Sequence, residues 1–160
     1  MSRPEDLTRV LFLDYENAVR SQMAEAFLRR LGEGRYAVFS GGMVAQELHP
    51  LTVEVMGEIG YDLTGQTGKC AQVFFGQSAF QCAILVCRAE EKRCPRLFPG
   101  ALKIERWPSD DPLAGDAPGL GARFRAARDR VLVQTQAWVK AQKDAETGVF
   151  TRKLMMTAAH

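Results

Sequence analysis

No stretch of this 160-residue chain is a long apolar run, and roughly 20 such residues are needed to span a bilayer. Its N-terminal MSRPEDLTR also lacks the apolar core of a signal peptide, so the sequence predicts a cytoplasmic protein with no membrane partner. Histidine is scarce, with two residues far apart, and the four cysteines at 70, 82, 87 and 94 form no Cys-x2-Cys pair. That spacing argues against a zinc site. Neither sign of charge dominates: 21 basic against 19 acidic residues leave a net charge of +2, too little to argue for nucleic acid. What is present is ordinary for a globular domain, with 46% hydrophobic and 25% charged residues and no internal repeat. One domain over residues 1–143 is expected, followed by a tail over 144–160 whose pattern offers no obvious packing partner.

Apolar runs and helical periodicities alternate along the chain. Val10–Leu13 reads as a buried strand, Tyr36–Phe39 as a second, Ala83–Cys87 as a third and Leu102–Trp107 as a weaker fourth. Between them, Ala24, Phe27, Leu28 and Leu31 recur at helical spacing, and His49-Pro50 opens a helix that stops at Gly60. A Gly- and Pro-rich loop from Pro108 to Gly121 precedes a helix predicted over about 122–143, with Phe124, Ala127, Val131, Thr135 and Trp138 on one face. Alternation of this kind predicts an α/β fold, a four-stranded, mainly parallel sheet with helices on both faces.

The segment Asp14–Ser21, DYENAVRS, leaves the first strand and enters the first helix. A loop in that position turns successive backbone N–H groups inward, and the helix N-terminus adds partial positive charge, so a tetrahedral oxyanion is held with neither metal nor cofactor. Tyr15, Glu16, Asn17, Ala18, Val19 and Ser21 would line such a cradle, and Arg20 would close it with a two-pronged guanidinium. Asp14 and Glu16 bring two negative charges into a space shaped for an anion, which weakens binding of a tetrahedral oxyanion such as phosphate.

Several motifs in order resemble a known family. They are the VLFL strand, the loop with Asn17, Arg20 and Ser21, SQMAEAFLR, Ser40-Gly41-Gly42, His49-Pro50, VMGEIGYDLTGQT, LVC followed by CP and FPG, Trp107 before Asp111-Pro112, and FRAARDRV. Together they resemble the thioredoxin-coupled arsenate reductases of the low-molecular-weight protein tyrosine phosphatase fold. The reductase branch fits better than the phosphatase branch, because Cys87 and Cys94 match that branch's second and third cysteines and Leu113 stands where phosphatases usually carry an aromatic residue.

What the resemblance implies is a cysteine nucleophile at position 14, a general acid at Asp111, a Cys87–Cys94 disulfide formed in the cycle and a thioredoxin-like reductant. This chain departs from that pattern at Asp14, at Glu16 in place of the usual glycine, and at Ala18 in place of a common serine. The expectation is a pseudoenzyme: Asp14 fills the pocket, accepting loop N–H groups or pairing with Arg20, and the protein serves as a binding, regulatory or redox-responsive module related to arsenical resistance. The alternative is an active arsenate reductase or tyrosine phosphatase with an altered nucleophile. Two readings also stand for the other residues: Asp111 as acid or as a turn cap before proline, Cys87 and Cys94 as a redox pair or as inert thiols. Cys82, five residues before Cys87, faces the opposite side of the sheet, His49 caps a helix start or lies at the surface, the two tryptophans pack in the core or at its edge, and Arg123, Arg125, Arg128 and Arg130 form a solvated helix side.

Overall fold

The computed structural model describes Arg3 and residues 6–158. Four strands, β1 (Thr8–Asp14), β2 (Tyr36–Gly42), β3 (Cys82–Leu85) and β4 (Ile104–Arg106), form one sheet in the order β2-β1-β3-β4, every pairing parallel. Three α-helices, α1 (Arg20–Leu31), α2 (Pro50–Gly57) and α3 (Leu120–Ala158), connect or follow them. The expected α/β architecture is therefore the one the chain adopts.

Strand alternation sorts the core into two halves. Val10 and Phe12 of β1 and Ile84 of β3 pack with Met23, Phe27, Met56, Phe124, Val131 and Trp138 from the three helices. Leu11, Leu13, Ala83 and Leu85 face the other way, against Phe74, Phe80 and Phe98. That second layer is thin, made of a 3-10 turn (Ala71–Phe74) and loops rather than a long helix. Cys82 joins the first half and Cys87 the second, as their odd spacing requires. Both tryptophans are buried, and His49 caps α2 by accepting the Leu51 N–H at its Nδ1, 3.1 Å away.

Two expectations on α3 change. The helix runs on through Ala158 rather than ending near Lys143, since no proline interrupts the chain between the two. The final two residues of the tail lie outside the described residues. Arg128 is buried, not solvated: its guanidinium donates to the Val55 carbonyl (2.9 Å), to Glu58 (2.8 Å) and to Asp129 (2.8 Å). Those contacts pin α2 to α3.

Sheet order positions the site. From β1 the chain crosses to β2 on one side, and β3 lies on the other, so the C-terminal end of β1 is a topological switch point where loops diverge and leave a crevice. The loops after β1, β3 and β4 all open there.

Candidate functional site

At the end of β1 the chain turns through residues 15–19 and enters α1. The carbonyls of this loop point outward to the following segment: Asp14, Tyr15, Glu16 and Ala18 accept the N–H groups of Met43, Val44, Gln46 and His49. With the carbonyls so occupied, N–H groups are free to face the centre. Gly42 makes this packing feasible, because a Cβ there would lie 2.7 Å from the Tyr15 carbonyl oxygen and 2.8 Å from the Asn17 nitrogen.

Asn17 adopts a left-handed backbone, φ 56°, which asparagine tolerates better than most residues. Glu16, which stands where the resemblance places a glycine, does not carry that conformation; the turn falls one residue later. The fully buried Asn17 side chain donates to Ser21 Oγ and Ser40 Oγ (both 2.9 Å) and accepts from Gln22 Nε2 and the Lys69 N–H (both 2.9 Å). One side chain thus ties the loop to α1, β2 and the 3-10 turn region.

Asp14 is buried at the base of the loop. Its Oδ1 accepts the Asn17 N–H at 2.7 Å and its Oδ2 accepts the Ser21 N–H at 2.9 Å. Of the two placements foreseen for this carboxylate, it takes the loop N–H groups; the Arg20 guanidinium is bonded elsewhere. Burial pushes the Asp14 carboxyl above the ordinary aspartate value of 3.8, against the opposing pull of Ser21, Arg20 and the Asn17 N–H.

Arg20 turns its fork onto Glu91. Its two terminal nitrogens lie 2.9 and 2.7 Å from the two carboxylate oxygens, and Nη1 also donates to the Ser109 carbonyl at 2.8 Å. Glu91 itself accepts the Arg88 N–H at 2.7 Å. Burial is the largest influence on Glu91 and raises its pKa, but the Arg20 hydrogen bond, the Arg88 N–H and both arginine charges outweigh it and hold the carboxyl below the ordinary range.

Cys87 and Cys94 are joined in a disulfide with Cα atoms 6.0 Å apart, within the usual span. Arg106 braces it, donating to the Cys87 carbonyl at 3.1 Å and meeting Cys94 Sγ at 2.9 Å. The other two cysteines are free, and burial followed by the Glu105 charge pushes the Cys82 thiol up to about 12, so it is no ready nucleophile.

These pieces surround a single cavity of about 240 Å³, lined by Asp14, Arg20, Cys87, Cys94, Glu91 and Asp111 among others. Tyr15, Glu16, Ala18 and Val19 line it too, whereas Asn17 and Ser21 lie behind the wall as its framework. Asp111 reaches the cavity and at the same time caps a turn, accepting the Leu113 N–H at 3.0 Å. Glu91, Arg93, stacked over Tyr15 at 5.0 Å, and the Ser109 carbonyl were not foreseen. In the run Arg88–Arg93, RAEEKR, nothing in the residue order shows which of two adjacent glutamates turns inward. Among the described residues no cluster of three or more ligating side chains could hold a metal ion, and no helix is long and apolar enough to cross a membrane.

A parallel four-stranded sheet with an oxyanion-type loop at its switch point and a disulfide on the opposite wall defines a phosphatase-like α/β protein. Residues 9–147 match the family model described as low molecular weight phosphotyrosine protein phosphatase, and the chain belongs to that family. Among its relatives is an arsenate reductase of Shouchella clausii, 32% identical over 141 residues, spanning 87% of this chain and 96% of that protein. Another is a glutaredoxin arsenate reductase of Synechocystis sp., 32% identical over 125 residues, spanning 78% and 91%. A solved structure described as an arsenate reductase in the phosphate binding state superposes with a TM-score of 0.69 at 28% identity, covering 84% of this chain and 98% of that one. Within the family, then, the chain is arsenate reductase-like.

Proposed function

We propose that this protein is an arsenate reductase-like member that has lost loop-thiol chemistry and works as a redox-responsive binding or regulatory module. Asp14 stands at the position where the resemblance places the nucleophilic cysteine. The observation that carries this reading is the pair of hydrogen bonds from Asn17 N–H and Ser21 N–H to the Asp14 carboxylate, since these are donors an incoming oxyanion would otherwise draw on. A carboxylate held there repels phosphate or arsenate and cannot do the work of a thiolate. The positions that remain are Arg20, Asp111 and the Cys87–Cys94 pair, which suit a thioredoxin- or glutaredoxin-like dithiol as partner in the cytoplasm.

A second reading draws on the disulfide at the cavity wall and on the names of the relatives: an active arsenate reductase or phosphatase with an altered nucleophile. Dithiol-coupled arsenate reduction, run beside phosphomonoester hydrolysis with and without magnesium, separates the two. No turnover, together with arsenate affinity weaker than millimolar by calorimetry, is expected. A rate abolished by Arg20→Ala would sink the proposal.

A further inference from the structure

Asp111 and Glu91 border a second, larger cavity of about 750 Å³, whose far wall is the start of α3. On that helix Arg123, Ala126, Ala127 and Arg130 follow one another at i, i+3, i+4 and i+7, the spacing of one face, so two guanidinium groups flank a floor of two methyl groups. Pro112 and Ala114, from the Gly- and Pro-rich loop before the helix, stand opposite. A space of this size suits a small molecule. Among the other charged groups that line it, Arg88 is paired with Asp110 at 2.6 Å and Glu91 with Arg20 at 2.7 Å. Arg123 and Arg130 are held differently, by carbonyl oxygens. Arg123 donates from Nε to Pro112 at 3.0 Å and from Nη2 to Asp116 at 2.8 Å, and Arg130 donates from Nε to Pro108 at 3.5 Å. Neither guanidinium forms an ion pair among the described residues, and both keep further N–H groups for a ligand. The opposing charge on the walls is Asp111, which accepts the Leu113 N–H at 3.0 Å. Two cations therefore face one carboxylate. Arg123 is also held in place, because the loop closes over its guanidinium so tightly that a Cβ at Gly119 would lie 2.6 Å from Nη1 and one at Gly115 would lie 3.1 Å from Cζ.

We propose that this groove is a second ligand site, for a small organic dianion with one acid group at Arg123, the other at Arg130 and an apolar body over Ala126, Ala127 and Pro112. Seven helical residues separate the two arginines, about 10.5 Å along the axis, so the ligand is an extended molecule with its acid groups at opposite ends. A compact ion such as phosphate reaches one guanidinium at a time. Carboxylate and phosphate ends both match the fork of arginine, and the class is defined by two such ends on a carbon chain. The groove lies on the far side of Asp111 and Glu91 from the Asp14 loop, so it stands whether or not that loop carries out any chemistry.

Calorimetric titration of the whole chain with sebacate, decane-1,10-diphosphonate, decanoate and inorganic phosphate tests the site, with amide chemical shifts to locate it. At least one of the two diacids should bind with a Kd below about 1 mM, and decanoate and phosphate at least about 10-fold more weakly. The tighter diacid identifies the preferred acid group. Shifts should centre on Ala114, Ala126 and Arg130, and added salt should weaken binding. Arg123→Gln and Arg130→Gln should each lower diacid affinity by about 10-fold. Arg130 is exposed and held by one long contact, so its variant keeps the test sharp if loss of Arg123 loosens the loop. Diacid affinity no better than that of phosphate, shifts confined to residues 14–21, or unchanged affinity in Arg130→Gln would overturn the site. Tighter binding of a glutamate-rich peptide than of either diacid would overturn the small-ligand assignment in favour of an acidic segment of a partner protein. Arsenate turnover would defeat the proposed loss of catalysis and leave these readouts intact, so the two ideas fail separately.

Discussion

Two loops meet at the C-terminal edge of the sheet and are built on opposite plans. The loop after β1 is buried, its carbonyls are held by residues 43–49 and its centre is held by Asn17 and Asp14, so its shape is over-determined. The loop after β3 is largely exposed and is held by one cross-link, two ion pairs, the Arg106 hydrogen bonds and a few turn contacts. The contrast separates a preorganised wall, fixed by buried hydrogen bonds, from a facing wall whose contacts are more exposed.

Breaking the rigid side should have the largest effect. Asn17→Ala removes the acceptor for Gln22 and Lys69 and the donor for Ser21 and Ser40, four hydrogen bonds at the loop centre, while Gln22 keeps its bonds to the Asn17 and Thr67 carbonyls and Ser40 its bond to Glu25. A loss of about 3 kcal/mol in urea unfolding is expected. Gly42→Ala should follow at about 2 kcal/mol, because the added methyl meets backbone that has nowhere to move. On the facing wall, Cys94→Ser should lower stability by about 2 kcal/mol through lost loop closure, with the Asn17 framework intact by amide exchange. A collapse of protection at Asn17 and Ser21 in that variant would erase the distinction between the walls.

The smallest effect is at Glu91. It is partly exposed, so after allowance for solvent screening Glu91→Gln should cost under about 1 kcal/mol at neutral pH. Its folded pKa lies below the ordinary 4.5, so its contribution is present above that value and is lost as pH falls through the folded pKa. Wild type and Glu91→Gln should therefore converge in stability in acid, which denaturation at a series of pH values will show. A gap that widened toward low pH would mean that the pair is not what holds Glu91 in place.

Much of this was legible from residue order. The strand Val10–Leu13, the loop that follows it, the His49 cap and the two faces of Cys82 and Cys87 each depend on local spacing or on strand alternation. The continuation of α3 past Lys143 is not legible in residue order, because its apolar residues there, Val149, Phe150, Leu154, Met155 and Met156, are exposed and do not extend the buried face of the earlier turns. The burial of Arg128 is not legible in residue order, since two of its partners lie far off in sequence, at Val55 and Glu58. That Asn17 rather than Glu16 takes the left-handed position is set by how the whole loop packs against its neighbours, which residue order does not show.

By itself the sequence determined the parallel α/β architecture, the place of an oxyanion-type loop and the presence of a carboxylate at its base, all consequences of short-range pattern and residue chemistry. Only the tertiary structure decided that Asp14 takes the loop N–H groups while Arg20 goes to Glu91, 71 residues along the chain. Competition between charges for one fork depends on distance and burial in space, and those quantities exist only once β1 and β3 lie side by side.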